Sequence, residues 1–77
     1  MSAFQAEVDA RGLNCPLPIL RLKKAVQGLD AGKVVRLLAT DPGSVKDVEA
    51  FCRQTGHTLV AAQQAGTDYL FLVRKDR

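Results

Sequence analysis

Residues 15–29 read CPLPILRLKKAVQGL: one cysteine, two prolines, and then apolar residues that recur every three or four positions. The apolar residues at this spacing are Ile19, Leu22, Ala25, Val26 and Leu29. Such a pattern is typical of an amphipathic helix. Proline is tolerated in the first turn of a helix, because the N–H groups there have no partner within the helix. Pro16 and Pro18 therefore predict where this helix begins, and Gly28 marks its end.

Four segments on either side of this helix predict strands. Residues 4–10 alternate apolar and polar side chains, and residues 33–40 are mostly apolar, as in a central strand. Residues 57–64 and 68–75 form two further runs that a short turn containing Gly66 separates. The chain therefore carries two strands around the first helix and an expected hairpin at its end.

A second helix is predicted between residues 41 and 56. Asp41 is expected to cap its first N–H groups, Pro42 suits the first helical position, and Gly56 ends it. The residues at helical spacing between them are Val45, Val48, Phe51, Cys52 and Thr55.

The order strand-helix-strand-helix-strand-strand predicts an α/β (α+β) two-layer sandwich. Right-handed crossovers would place both helices on one face of a four-stranded mixed sheet. Both helices would then begin at the carboxyl edge of the sheet, where α/β proteins place their sites. We therefore expect Asp41 to lie near Cys15 and to contact a partner docked there.

Composition indicates one globular domain over residues 1–77. Hydrophobic residues make up 47% and charged residues 25% of the chain, which excludes disorder of the whole chain. Neither a membrane span nor a secretion signal is visible, so we expect a cytoplasmic protein without a membrane partner. The net charge of +3 is mild, and four aromatic residues provide no stacking platform, which argues against direct nucleic-acid binding.

The residue that carries chemistry in this sequence is Cys15. At the N-cap of the first helix, its sulfur would face free N–H groups and the positive end of the helix dipole. Such surroundings lower the pKa of a thiol and favour the nucleophilic thiolate. The alternative is an inert small residue. No histidine or carboxylate in the neighbouring sequence suggests a protease-type nucleophile, so thiol–persulfide exchange is the better match.

The second cysteine, Cys52, lies on the apolar face of the second helix and is expected to be a buried small hydrophobe. The alternative is a resolving cysteine that pairs with Cys15 in a redox switch. His57 follows the helix-ending glycine, where a capping or surface role is expected. Two cysteines and one histidine do not suffice for a four-ligand zinc site, so we expect neither a metal nor another cofactor.

The exposed side of the first helix is a candidate docking surface for an acidic partner protein. It combines apolar and basic side chains close to Cys15, although single exposed apolar residues are also common. The candidate docking residues are Leu17, Leu20, Arg21, Lys23 and Lys24, together with Asp41. Arg11 and Asn14 precede the cysteine and are candidates for orienting it.

Residues 8–18, VDARGLNCPLP, resemble the Cys-Pro-x-Pro signature of the TusA family of sulfur carrier proteins, also called SirA-like. The resemblance continues through Asp41-Pro42, Phe51-Cys52, His57-Thr58-Leu59, Tyr69-Leu70 and Arg74-Lys75. It implies a sandwich like the C-terminal domain of translation initiation factor three. It also implies that Cys15, in the motif with Pro16, Leu17 and Pro18, accepts sulfur as a persulfide.

The resemblance further implies a sulfurtransferase-like carrier with two kinds of partner. A cysteine desulfurase or a rhodanese would donate the sulfur, and a downstream acceptor protein would take it. Family members serve tRNA 2-thiouridine synthesis, molybdenum-cofactor enzymes or sulfur oxidation. Those of tRNA thiolation tend to carry Glu at the position of Leu17. The alternative from another class is a non-catalytic regulatory or RNA-binding module.

Overall fold

The computed structural model describes residues 4–77 as two helices and four strands. In chain order these elements are β1 (Ala6–Ala10), α1 (Leu17–Gln27), β2 (Val34–Ala39), α2 (Ser44–Thr55), β3 (Thr58–Ala65) and β4 (Asp68–Arg74). The predicted order is confirmed, and the strand ends lie within two residues of the predicted ones.

The four strands form one mixed sheet in the order β1-β2-β4-β3. β1 runs parallel to β2, with Ala10 opposite Ala39 at the carboxyl end of both strands. β4 pairs antiparallel with both of its neighbours, β2 and β3. The β3–β4 turn contains Gly66 at φ 64°, a left-handed conformation that glycine adopts without strain.

Both helices cover the same face of this sheet. α1 packs on β1 and β2, α2 packs on β3 and β4, and the two helices also touch each other. Leu22 and Val26 of α1 meet Val48 and Phe51 of α2 in one core cluster with the strand residues. The two-layer sandwich with both helices on one face is therefore confirmed.

The start of α2 differs from the prediction. Gly43, not Asp41, is the N-cap residue, and the helix begins at Ser44 rather than at Pro42. Residues 41–44 instead form a turn in which the Ser44 N–H donates to the Asp41 carbonyl at 3.0 Å. Proline at the second position of a turn is as favourable as at a helix start, so the sequence alone did not separate the two.

The opposite end of α2 follows the prediction. Gly56 adopts a left-handed conformation with φ 82°, and its N–H donates to the carbonyl of Cys52. In the described part of the chain, no helix has the length and the apolar character needed to cross a membrane.

Candidate functional site

The two helices begin at the same edge of the sheet, because β1 and β2 are parallel and each is followed by a helix. The loops that lead into them are joined by hydrogen bonds. The N–H of Gly12 donates to the Thr40 hydroxyl at 2.9 Å, and the N–H of Cys15 donates to Asp41 Oδ2 at 2.7 Å. This edge therefore brings Cys15 and Asp41 together, as the sequence predicted.

The first turn of α1 sets the position of Cys15. Pro16 is the N-cap residue, and its carbonyl accepts a hydrogen bond from the N–H of Leu20 at 3.2 Å. Pro18 lies in the first turn, where its missing N–H leaves no helical bond unmade. Cys15 thus lies one residue before the N-cap, so its predicted N-cap position is wrong by one residue.

The carboxylate of Asp41 joins its own turn to the cysteine. Asp41 Oδ1 accepts from the N–H of Gly43 at 3.2 Å, while Oδ2 accepts from the N–H of Cys15. Asp41, which was predicted to cap α2, thus joins the two loops through hydrogen bonds. The hydroxyl of buried Ser44 donates to the Asp41 carbonyl at 2.6 Å and holds this turn on the core.

A residue that the sequence analysis missed, Asp47, contacts the sulfur itself. The thiol of Cys15 donates a hydrogen bond to Asp47 Oδ2 at 2.8 Å. Asp47 lies in the first turn of α2, where the positive end of the helix dipole favours a carboxylate. The sequence did carry a signal for this contact, because Asp47 is an acidic residue about one turn after the predicted start of α2.

This hydrogen bond reverses the expected electrostatics of Cys15. The carboxylate of Asp47 accepts a hydrogen bond from the thiol, which stabilises the protonated sulfur and raises the pKa of Cys15; partial desolvation and the negative charges of Asp47 and Asp41 add to the effect. The predicted lowering of the Cys15 pKa by the helix N-terminus is therefore wrong for the free thiol. The prediction considered the end of α1 alone and did not include the carboxylates of Asp47 and Asp41.

Cys15 opens into a shallow groove between α1 and α2 with a volume of about 330 Å³. Its other lining residues are Pro16, Ile19, Lys23, Asp47, Ala50, Phe51, Gln54 and Thr55. Cys15 itself is exposed. The groove therefore gives a reacting group direct access to the sulfur along a surface that is mostly apolar.

The structure places the five candidate docking residues of α1 in two grooves, four in one and Lys23 in the other. Leu17, Leu20, Arg21 and Lys24 line a second groove between α1 and the edge strand β1, and Leu17 and Leu20 are 46% and 50% exposed. Lys23 faces the cysteine groove instead. The two grooves lie on either side of α1, so Lys23 is separated from the other four residues.

Of the two candidate orienting residues, Arg11 is engaged elsewhere and Asn14 takes part through its backbone. Arg11 donates to Asp9 at 2.8 and 2.9 Å and lies 3.6 Å from Asp68. The carbonyl of Asn14 accepts from the N–H of Leu17. Within residues 4–77, neither side chain makes a hydrogen bond to Cys15, which Asp41 and Asp47 hold instead.

Cys52 lies in different surroundings from Cys15. It is 6% exposed within the core, and burial raises the pKa of its thiol. It follows Asp47 by five residues, which places it about 140° away around α2. The ring of His57 packs 5.9 Å from that of Phe51, and its Nδ1 accepts from the N–H of Asp76.

A metal ion would need several donor side chains close together. Within residues 4–77, no group of three or more His, Cys, Asp and Glu side chains has this arrangement. The chemistry available at the described site is that of the Cys15 sulfur and its two carboxylate neighbours.

Comparison with known proteins identifies the family. The family model described as sulfurtransferase TusA matches residues 6–75. The sulfur carrier protein TusA of Allochromatium vinosum is 51% identical over 75 residues, covering 97% of this chain and 99% of the relative. A putative sulfur carrier protein of Neisseria meningitidis serogroup A is 52% identical over 69 residues, covering 88% of this chain and 93% of the relative.

A solved structure supports the fold. The crystal structure of a SirA-like protein from Desulfitobacterium hafniense superposes with a TM-score of 0.83 at 24% identity, covering 95% of this chain and all of the other. The sequence relatives and the family model together decide the assignment. The chain belongs to the TusA family of sulfur carriers.

Proposed function

We propose that Cys15 carries the sulfur, accepting it as a persulfide from a cysteine desulfurase or a rhodanese and passing it to an acceptor protein. The observation that carries this proposal is the contrast between the two sulfurs of the chain. Cys15 is exposed in a groove, whereas Cys52 is buried in the core. Direct transfer between proteins requires an accessible sulfur, and Cys15 meets this requirement.

The reaction is an exchange of one sulfur–sulfur bond for another. The Cys15 thiolate attacks the outer sulfur of the donor persulfide, and a bond forms between Sγ and that sulfur. The sulfur–sulfur bond of the donor breaks, and the donor cysteine leaves as a thiolate that takes up a proton. The electron count is unchanged, so neither an oxidant nor a cofactor is needed.

The groove around Cys15 supports this chemistry in two ways. Ile19, Ala50 and Phe51 give the groove beside the sulfur an apolar lining, which suits contact with a partner protein. Asp41 fixes the backbone of Cys15 at the sheet edge through the bond to its N–H. A fixed backbone presents the sulfur in one place to each partner.

The downstream acceptor in this proposal is a protein rather than RNA. Leu17 and Leu20 form an apolar surface beside Arg21 and Lys24, which suits a sulfur donor or acceptor protein with exposed apolar and acidic residues. The pathway beyond the acceptor is either tRNA 2-thiouridine synthesis or another route such as maturation of molybdenum-cofactor enzymes. The cytoplasm, which keeps cysteines reduced, is the compartment we assign.

Loading of the purified protein tests this function directly. The carrier is incubated with a cysteine desulfurase and cysteine, or with a rhodanese and thiosulfate, and its intact mass is then measured. We expect a mass gain of one or more sulfur atoms that peptide mapping places on Cys15. Cys15→Ser is expected to gain nothing, and Cys52→Ala is expected to load like the wild type.

The opposite outcome would favour the other class of function. A wild-type protein that gains no sulfur from either kind of donor is not a carrier, and a regulatory or RNA-binding module would then be the better interpretation. If loading survives in Cys15→Ser and vanishes in Cys52→Ala, the sulfur is carried by Cys52, and our assignment to Cys15 is wrong.

A further inference from the structure

We propose that Asp47 keeps Cys15 as a neutral thiol while the carrier is empty, and that a sulfur donor activates Cys15 by bringing a positively charged group to Asp47. Asp47 is thus a positioning residue that acts through Cys15. This inference rests on the proposed function, because it describes Cys15 between two rounds of sulfur transfer.

The geometry of the pair favours the protonated sulfur. A thiol has a single hydrogen, and that of Cys15 points to Asp47 Oδ2 over an S···O distance of 2.8 Å. Loss of this proton would leave a thiolate beside a carboxylate at the same distance. Like charges so close disfavour the ionised form strongly.

The other charged groups near Cys15 do not compensate for Asp47. Asp41, in the loop before α2, adds a second negative charge at the backbone of Cys15. Lys23 of α1 lines the same groove, yet within residues 4–77 it makes no ion pair with either aspartate. The raised pKa of Cys15 agrees with this balance of charges.

This arrangement has a consequence for sulfur transfer. The attacking species is the thiolate, so a neutral Cys15 reacts slowly with stray electrophiles and oxidants. A lysine or arginine of the donor that pairs with Asp47 would take the place of the thiol as the hydrogen-bond donor to this carboxylate. It would also offset the negative charge of Asp47 and so favour the thiolate of Cys15. The donor that fits is therefore one with a basic side chain beside its persulfide.

The first test is the pH profile of Cys15 alkylation by iodoacetamide, followed by peptide mass analysis so that Cys52 does not interfere. We expect Asp47→Asn to react about tenfold faster than the wild type at pH 7, with its profile displaced to lower pH. Glu49→Gln, an equal charge change at an exposed position of the same helix, is the matched control and should follow the wild type.

An Asp47→Asn profile identical to that of the wild type would overturn the proposal. A merely structural role for Asp47 would change stability without displacing the profile. Circular dichroism checks the fold, and Asp47→Ser provides a second neutral side chain should the asparagine variant fail to fold.

The second test addresses the charge of the partner with two small disulfides. Cystamine is a dication and 3,3′-dithiodipropionate is a dianion, and each forms a mixed disulfide with Cys15 while releasing one thiol. We expect the wild type to prefer cystamine and Asp47→Asn to lose about fivefold of that preference. An unchanged preference would refute the requirement for a cation.

These measurements separate the inference from the function on which it rests. Both probes report on Cys15 without any sulfur donor. Failure of sulfur loading together with a displaced alkylation profile would reject the carrier and keep the role of Asp47. Normal loading with an unchanged alkylation profile would keep the carrier function and reject the role of Asp47.

Discussion

Cys15 and Cys52 have the same side chain in opposite surroundings. Cys15 lies at the sheet edge, exposed, with its thiol bonded to Asp47. Cys52 lies inside the core with 6% of its surface exposed. Both thiols have a raised pKa, but a carboxylate raises the first and burial raises the second.

The difference between these two causes is that only one of them can be removed without unfolding the protein. A partner or a substitution can neutralise Asp47, whereas Cys52 stays away from water for as long as the core is intact. The fold thus protects Cys52 for as long as the core is closed, whereas the restraint that we propose for Cys15 ends when a partner neutralises Asp47.

The largest effect concerns the accessibility of the two sulfurs. Under native conditions we expect iodoacetamide to modify Cys15 at least about a hundredfold faster than Cys52, because Cys52 reacts only through rare opening of the core. Peptide mass analysis at several reaction times measures the two rates. In strong denaturant the rates should become similar, and comparable rates in the native protein would contradict the contrast.

The next effect breaks the contrast from the side of the core. Phe51 is 7% exposed, belongs to the core cluster and also lines the groove of Cys15. Phe51→Ala is expected to lower the free energy of unfolding by about 3–5 kcal/mol, a large part of the total stability of so small a domain. Urea unfolding measures this loss, and alkylation of Cys52 should accelerate in parallel.

A neighbouring residue provides the control for that variant. Gln54 lines the same groove but is exposed, so Gln54→Ala should leave both the unfolding free energy and the protection of Cys52 unchanged. If Phe51→Ala has the unfolding free energy of the wild type, the ring of Phe51 belongs to the groove and contributes little to the core.

The elements of the fold could be predicted from the sequence because their signals are local. Pro16 and Pro18 mark the first turn of α1, and Gly56 marks the end of α2 through its own backbone preference. Alternating and continuous apolar runs mark the strands. Each signal depends on residues only a few positions apart, which is why the order of elements was right.

The site was less predictable because its contacts join distant parts of the chain. Asp41 contacts Cys15 across 26 residues and Asp47 contacts it across 32. The parallel strands predicted that both loops meet at one edge, but not which oxygen would face the sulfur. The predicted pKa of Cys15 therefore had the wrong direction, since it included the helix dipole and omitted the carboxylates.

A moderate effect is expected at the exposed apolar side of α1. Leu20 and Val60 are both 50% exposed, but Leu20 lies on α1, the helix that follows Cys15, and Val60 lies on the edge strand β3. Leu20→Gln should reduce the efficiency of sulfur loading by a desulfurase about tenfold, mainly through a higher KM, because apolar contacts contribute to docking.

The matched variant Val60→Gln should load like the wild type. The same measurement, with initial rates at several carrier concentrations, covers both proteins. A loss of efficiency in both variants, or in neither, would show that the exposed apolar side of α1 is not the contact surface for this donor.

The smallest effect concerns Asp9, a carboxylate whose hydrogen-bond donor differs from that of Asp47. Asp9 accepts hydrogen bonds from Arg11, a cation, and this bond lowers the pKa of Asp9 from 3.8 to about 2. Asp47 accepts from a neutral thiol, and there the bond raises the pKa of the thiol. Because Asp9 is ionised more readily in the folded state, the folded state binds fewer protons between the two pKa values of Asp9.

The stability that this pair contributes is therefore present above a pH of about 4 and is lost as the pH falls through about 2. Asp9→Asn should lower the thermal unfolding midpoint slightly at pH 7, and the difference from the wild type should shrink at pH 2. The effect is small because both side chains are exposed and water screens them. If the difference in unfolding midpoint stays constant over this pH range, the ion pair between Asp9 and Arg11 is not its source. The contrast between a carboxylate bonded to a cation, Asp9, and one bonded to a neutral thiol, Asp47, would then not hold.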